Sequence, residues 1–193
     1  RHNMLLIGRD NGFRFAAHWR YAQSKAAAML AQQLYSRFGY DDELRLEKAA
    51  IGCLGEAAFR HFLHSQRIPF QEDTTDFSQA RSDAFDVAIH GKTIDVKVAK
   101  KSTPNLPNDH WTYGYPQEQH PASKDYVVVG LVDFTLGIVA FYGWISGAQI
   151  SRYPVVTHNA YAKFPYETPN HEFRYGDMNK DFQQLFRLCA ATP

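Results

Sequence analysis

The chain has 193 residues, 45% hydrophobic and 15% aromatic, with 21 basic and 20 acidic side chains for a formal net charge of +1. That is enough apolar material for one substantial core and excludes a disordered chain; the near-neutral balance also excludes the strong basic field of a tight, nonspecific polyanion binder. The two cysteines, Cys53 and Cys189, exclude a disulfide scaffold and a four-cysteine iron–sulfur cluster, and they fit a reducing, cytoplasmic setting.

In chain order, an alanine-rich amphipathic pattern predicts a first helix from about Ala16 to Phe38, joined through Gly39-Tyr40-Asp41-Asp42 to a second. That second helix, from Asp42 to about His64, has apolar residues at helical spacing: Leu46, Ala49, Ala50, Cys53, Leu54, Ala57 and Leu63. Glu56 shares a stripe with Ala49, Gly52, Phe59 and Leu63, so a lone acid stands among small and apolar neighbours. It needs a partner, and Arg60 one turn on is the ordinary choice. Gly52 and Gly55 each cost a helix up to ~1 kcal/mol, tolerable if another backbone or a ligand comes close there.

Ile68-Pro69-Phe70-Gln71 reads as a first strand, and Asp83 to Ala99 as a hairpin. With the turn centred on His90-Gly91, residues whose numbers sum to 181 pair across the strands, which sets Asp86 opposite Asp95. Alternation turns Phe85, Val87, Ile89, Ile94, Val96 and Val98 to the core, with Asp86, Asp95 and Lys97 on the other face. Two directly opposed acids cost a sheet up to roughly 1 kcal/mol unless a cation or a shared proton compensates. Hard oxygen donors of this kind favour Mg²⁺ or Mn²⁺. Chance alone predicts roughly one acid-x-Lys triplet in this composition, so Asp95-Val96-Lys97 gains its weight from its place in the hairpin. Asp83 lies on the core parity and reads as a turn residue.

Lys100 to Lys124 is the least regular stretch, rich in proline and aromatics. Leaving the Lys97 strand, it could bring Lys100 and Lys101 to phosphates and stack Trp111 or Tyr113 on bases; equally, its aromatics could fold back on the core. Lys92, Lys97, Lys100, Lys101 and Lys124 offer a local basic cluster. Tyr126 to Ile145 is long enough to span a bilayer, yet Asp133 would cost ~2.5–3.5 kcal/mol at its centre. Its β-branched content and the Asp133–Gly137 turn predict two buried strands. A short helix near Gly147–Ile150 and a closing helical turn from Asp177 to Leu188 end the pattern, and His120, His158 and His171 lack metal-ligand spacing.

Ile51-Gly52-Cys53-Leu54-Gly55-Glu56-Ala57-Ala58-Phe59, followed by Asp86 and then Asp95-Val96-Lys97, resembles the core of the PD-(D/E)XK nuclease superfamily over roughly Leu44 to Ser146. One departure is Phe85, where the family often has proline. The resemblance implies an α/β, restriction-endonuclease-like mixed β-sheet flanked by helices. It divides the chain into a helical extension (1–40), a nuclease core (41–146) and a C-terminal extension packed on that core (147–193). Carried over by position, it implies that Glu56, Asp86 and Asp95 bind Mg²⁺ or Mn²⁺ and that Lys97 acts beside them in hydrolysing phosphodiesters of DNA. The nucleic-acid contacts expected are Lys100, Lys101, Trp111 and Tyr113, with a homodimer or larger complex and no membrane. The alternatives are a binding or assembly protein without turnover on the same fold, and a nuclease for RNA or branched DNA.

Overall fold

The computed structural model describes residues 4–31, 42–73 and 85–191. It is a mixed α/β architecture in three layers. A six-stranded mixed sheet lies between helices on one face and a three-stranded antiparallel sheet on the other.

The central strands form where the chain is richest in β-branched residues. β4 (Lys92–Lys100) runs parallel to β6 (Tyr126–Asp133), which continues antiparallel into β7 (Ile138–Ser146). β6 and β7 are the stretch long enough to span a bilayer, and they are buried strands as expected. Their connection is set by Asp133, whose carboxylate accepts the Leu136 N–H at 2.9 Å, and by Gly137 at φ 65°. No helix among the described residues is long and apolar enough to cross a membrane.

β3 (Val87–Ile89) pairs antiparallel with β4 in the register read from the sequence: Val87 with Ile94, Ala88 with Thr93, Ile89 with Lys92. The turn between them has positive φ at both central residues, His90 at 49° and Gly91 at 78°, the geometry that suits the twist of a tight hairpin. The strand expected at 68–71 is the two-residue β2 (Gln71–Glu72), paired to β3. At the opposite edge, an unexpected strand β1 (Leu5–Ile7) pairs with β7.

α1 (Phe15–Ala31) and α2 (Asp42–Ser65) cover one face. The part of the first helix expected beyond Ala31, the 39–41 link and Asp83 lie outside the described residues. Residues 5–31 also supply Ile7, Phe13, Ala22 and Ala26 to the principal core, alongside Leu54, Phe59 and Leu63 of α2 and Ile94 and Val96 of β4. α2 approaches β4 closely at Gly55, where an added Cβ would lie 2.4 Å from a Val98 methyl; Gly52 faces open space. The close approach foreseen for these glycines is thus made at Gly55 alone.

The opposite face is covered by β5 (Thr112–Pro116), which lies in the stretch read as irregular, and by two strands the sequence reading did not anticipate, β8 (Val155–His158) and β9 (Pro165–Arg174), in the order β5-β9-β8. They enclose a second core with Val127 and Val129 of β6 and Tyr142 and Ile145 of β7. α3 (Gly147–Ile150) is capped by the Ser146 hydroxyl, and α4 (Phe182–Ala190) by the Asp181 carboxylate. α4 returns to the helical face, packing Phe182 against Phe59 and Phe62.

Candidate active site

The hairpin ladder stops at Val87 opposite Ile94. One residue further the ladder is irregular: in a continued register Asp86 and Asp95 would be a non-hydrogen-bonded pair, but the Asp86 N–H turns back to donate to the Ile94 carbonyl at 3.1 Å, as at a β-bulge. The irregularity frees the Asp86 side chain, whose Oδ2 accepts the Val96 N–H at 2.6 Å. Asp86 and Asp95 are therefore adjacent, as the register implied, but staggered rather than squarely opposed.

Asp95 is 4% exposed. Its Oδ2 accepts the Tyr115 hydroxyl at 2.6 Å and faces the Lys97 ammonium at 3.3 Å. The Lys97 Nζ in turn lies 5.6 Å from the centroid of the Tyr115 ring. Alternation explains why Asp95 and Lys97 share this face while Ile94 and Val96 enter the helical core.

Asp95 is buried and Asp86 half-buried, and two adjacent carboxyls so placed disfavour carrying two full charges. Burial first, then the charges of Glu56 and Asp95 and a hydrogen bond with Asp95, push the Asp86 carboxyl well above the usual range. Burial would raise Asp95 too, but Lys97, the hydrogen bonds from Asp86 and Tyr115, and the Lys124 charge hold it below its ordinary value. The two shifts run in opposite directions, so of the two Asp86 is the one that takes up a proton more readily. Burial opposes the charge on Lys97, yet Asp95, Asp86 and Glu56 outweigh it and raise its pKa.

Glu56 belongs to the same electrostatic neighbourhood without joining the hydrogen-bonded pair. It is 28% exposed, its Oε1 lies 3.9 Å from the Arg60 guanidinium, and its pKa is raised by desolvation. Arg60 is the expected helix partner, but it also reaches Glu72 on β2 at 3.3 Å. Among the described residues no group of three or more His, Cys, Asp and Glu side chains is placed to hold a metal ion. The donor chemistry of the Asp86–Asp95 pair nevertheless fits a magnesium-sized cation, because that ion keeps several waters and takes one or two carboxylates.

The basic and aromatic residues expected to meet nucleic acid divide. Lys100 pairs with Glu47 at 3.0 Å, and Lys101 donates to the Thr103 carbonyl at 2.5 Å. Trp111 packs edge-on to Tyr175 with ring centroids 5.9 Å apart, and Tyr113 lies against Phe173 at 5.8 Å. Both aromatics therefore fold back on the second core, the outcome set beside base stacking in the sequence reading. Lys124 leaves the surface cluster altogether. It is 3% exposed, its Nζ has no hydrogen-bond partner among the described residues, and its charge helps hold the Asp95 carboxyl below its ordinary value.

Tyr115 and the interior role of Lys124 were not identified from the sequence. Tyr115 has the parity of Tyr113, but nothing local shows that the irregular segment forms a strand over Asp95. Cys53 and Cys189 are free, and burial pushes each thiol up to about 11, so neither is an activated nucleophile. Neither a scan against protein-family models nor searches of curated proteins and of solved structures finds a match for this chain.

Proposed function

We infer that this protein is a Mg²⁺-dependent nuclease of the restriction-endonuclease-like type, hydrolysing phosphodiester bonds of DNA. The observation that carries the reading is the joining of Asp86, Asp95 and Lys97, with Glu56 nearby, at the point where a hairpin ladder opens beside a helix.

Asp86 and Asp95 would hold the cation, with Glu56 adding charge directly or through water. A magnesium ion bound there supplies Lewis-acid polarisation of the scissile phosphate, an acidified water and neutralisation of the leaving oxygen. Lys97 stays protonated because three acids favour its charge. It therefore orients the attacking water and stabilises negative charge growing on the phosphate, rather than abstracting a proton. The low exposure of Asp95 keeps bulk water from screening these charges.

Cutting both strands of a duplex needs two such sites, which a homodimer supplies. The free thiols suit a cytoplasmic location. A second reading, a nucleic-acid-binding protein without turnover, is favoured by the lack of a three-ligand metal group among the described residues.

The test is a panel of duplex, single-stranded and branched DNA and of RNA incubated with Mg²⁺. DNA cleavage that stops with EDTA and falls on the order of 10²–10³-fold in Lys97→Ala is the expected result. Binding without cleavage of any member favours the second reading, and cleavage confined to RNA or junctions reassigns the substrate.

A further inference from the structure

We propose that Tyr115 is a positioning residue of this site, holding Asp95 and Lys97 in the arrangement the hydrolysis uses; the proposal rests on the nuclease reading above. Its hydroxyl donates to Asp95 Oδ2 at 2.6 Å, the Lys97 ammonium stands 3.3 Å from that same oxygen, and the ammonium is 5.6 Å from the Tyr115 ring centroid. The three groups close a triangle in which one rigid ring touches both of the others.

Neither of the other two could fix this geometry alone. A lysine ammonium is a point charge on a four-carbon stem with several low-energy rotamers, and a carboxylate turns about its own Cβ bond. Tyr115 has two side-chain torsions, and both are locked because the ring is wholly buried in the second core with Val127, Val129 and Phe173. Its strand is pinned by five register pairs to β9, from Thr112 with Arg174 to Pro116 with Asn170.

A carboxylate oxygen has about two lone-pair sites. Tyr115 and Lys97 together engage those of Oδ2, so Asp95 meets Asp86, or a cation shared with it, through what remains. The small sheet thereby acquires a function: it reaches across the face opposite α2 and aims the acid at the cation site. Residues that orient ligands in this way commonly change metal affinity or activity 10–100-fold when removed.

Tyr115→Phe keeps the ring and deletes only the hydroxyl. With Tyr113→Phe as the neighbouring control, Mn²⁺ binding followed by electron paramagnetic resonance should weaken on the order of 10-fold in Tyr115→Phe and by less than about twofold in the control. In cleavage assays kcat should fall by a similar factor while KM for DNA is unchanged.

Should Tyr115→Phe fail to fold, 3-fluorotyrosine placed at position 115 retains the hydroxyl, and its fluorine resonance should shift saturably on addition of Mg²⁺. Unchanged Mn²⁺ affinity in a folded Tyr115→Phe protein, a fluorine resonance indifferent to Mg²⁺, or no Mn²⁺ binding by the wild type would overturn the proposal. Weakened Mn²⁺ binding without DNA cleavage by the wild type supports the positioning role and sinks only the hydrolytic reading.

Discussion

Asp86 is the acid of the site whose burial and acidic neighbours push its carboxyl furthest toward the protonated form. A carboxyl whose folded-state pKa lies above its unfolded value binds a proton more tightly when folded, so it weakens the fold as pH rises from the unfolded pKa to the folded one. Asp95 has the opposite sign: its depressed pKa contributes stability above the unfolded value that is lost as pH falls through the folded one. In EDTA, Asp86→Asn should therefore be more stable than wild type, and the difference in Tm should grow from pH 4 upward. Each kcal/mol appears as about 2–4 °C in a chain of this size. A difference that stays flat or reverses across that range would show that the Asp86 carboxyl is not raised. Divalent cation should erase the advantage, because binding displaces the proton in wild type.

At the scale of elements, the hairpin was legible because three local signals agree: alternation on both strands, a His-Gly turn with positive φ, and valine and isoleucine on one parity. The irregularity at Asp86 was not legible, since register arithmetic carries no information on where a ladder stops. The helix bearing Glu56 was legible from its spacing, and its two glycines now separate. Gly55→Ala would drive a methyl into Val98 and should cost about 1–3 kcal/mol. Gly52→Ala meets nothing within 4 Å and should stabilise the protein by up to ~1 kcal/mol. Urea unfolding of the two variants checks this, and equal effects of the same sign would refute the packing of α2 on β4. The small sheet escaped notice for a physical reason. Pro116 in β5 and Pro165 and Pro169 in β9 break the usual strand pattern. They are tolerated because β5 is an edge strand with Pro116 at its end, Pro165 is the first residue of β9, and Pro169 lies where the β8–β9 register shifts.

For the whole molecule, the layered design fixes what surrounds Asp95. The parallel pairing of β4 with β6 requires a long crossover, and here that crossover brings β5 over the Asp95 face and carries Lys124 inward. Lys124 and Lys97 are thus held at Asp95 rather than on the open surface. Log affinity for duplex DNA should fall with log salt at about 0.9 per phosphate neutralised, so Lys92, Lys97, Lys100 and Lys101 set a slope no steeper than about −4 per protomer, roughly twice that for a homodimer. A slope per protomer near twice that limit would place the binding surface elsewhere. Hydrolysis at this site is decided by supercoiled plasmid cleavage in Mg²⁺ with wild type, Asp95→Asn and Lys97→Ala purified identically. Nicked and linear product should form with the wild type alone, both variants being slowed at least about 100-fold; equal cleavage by all three, or none by any, would rule out Asp95 and Lys97 as its catalytic groups.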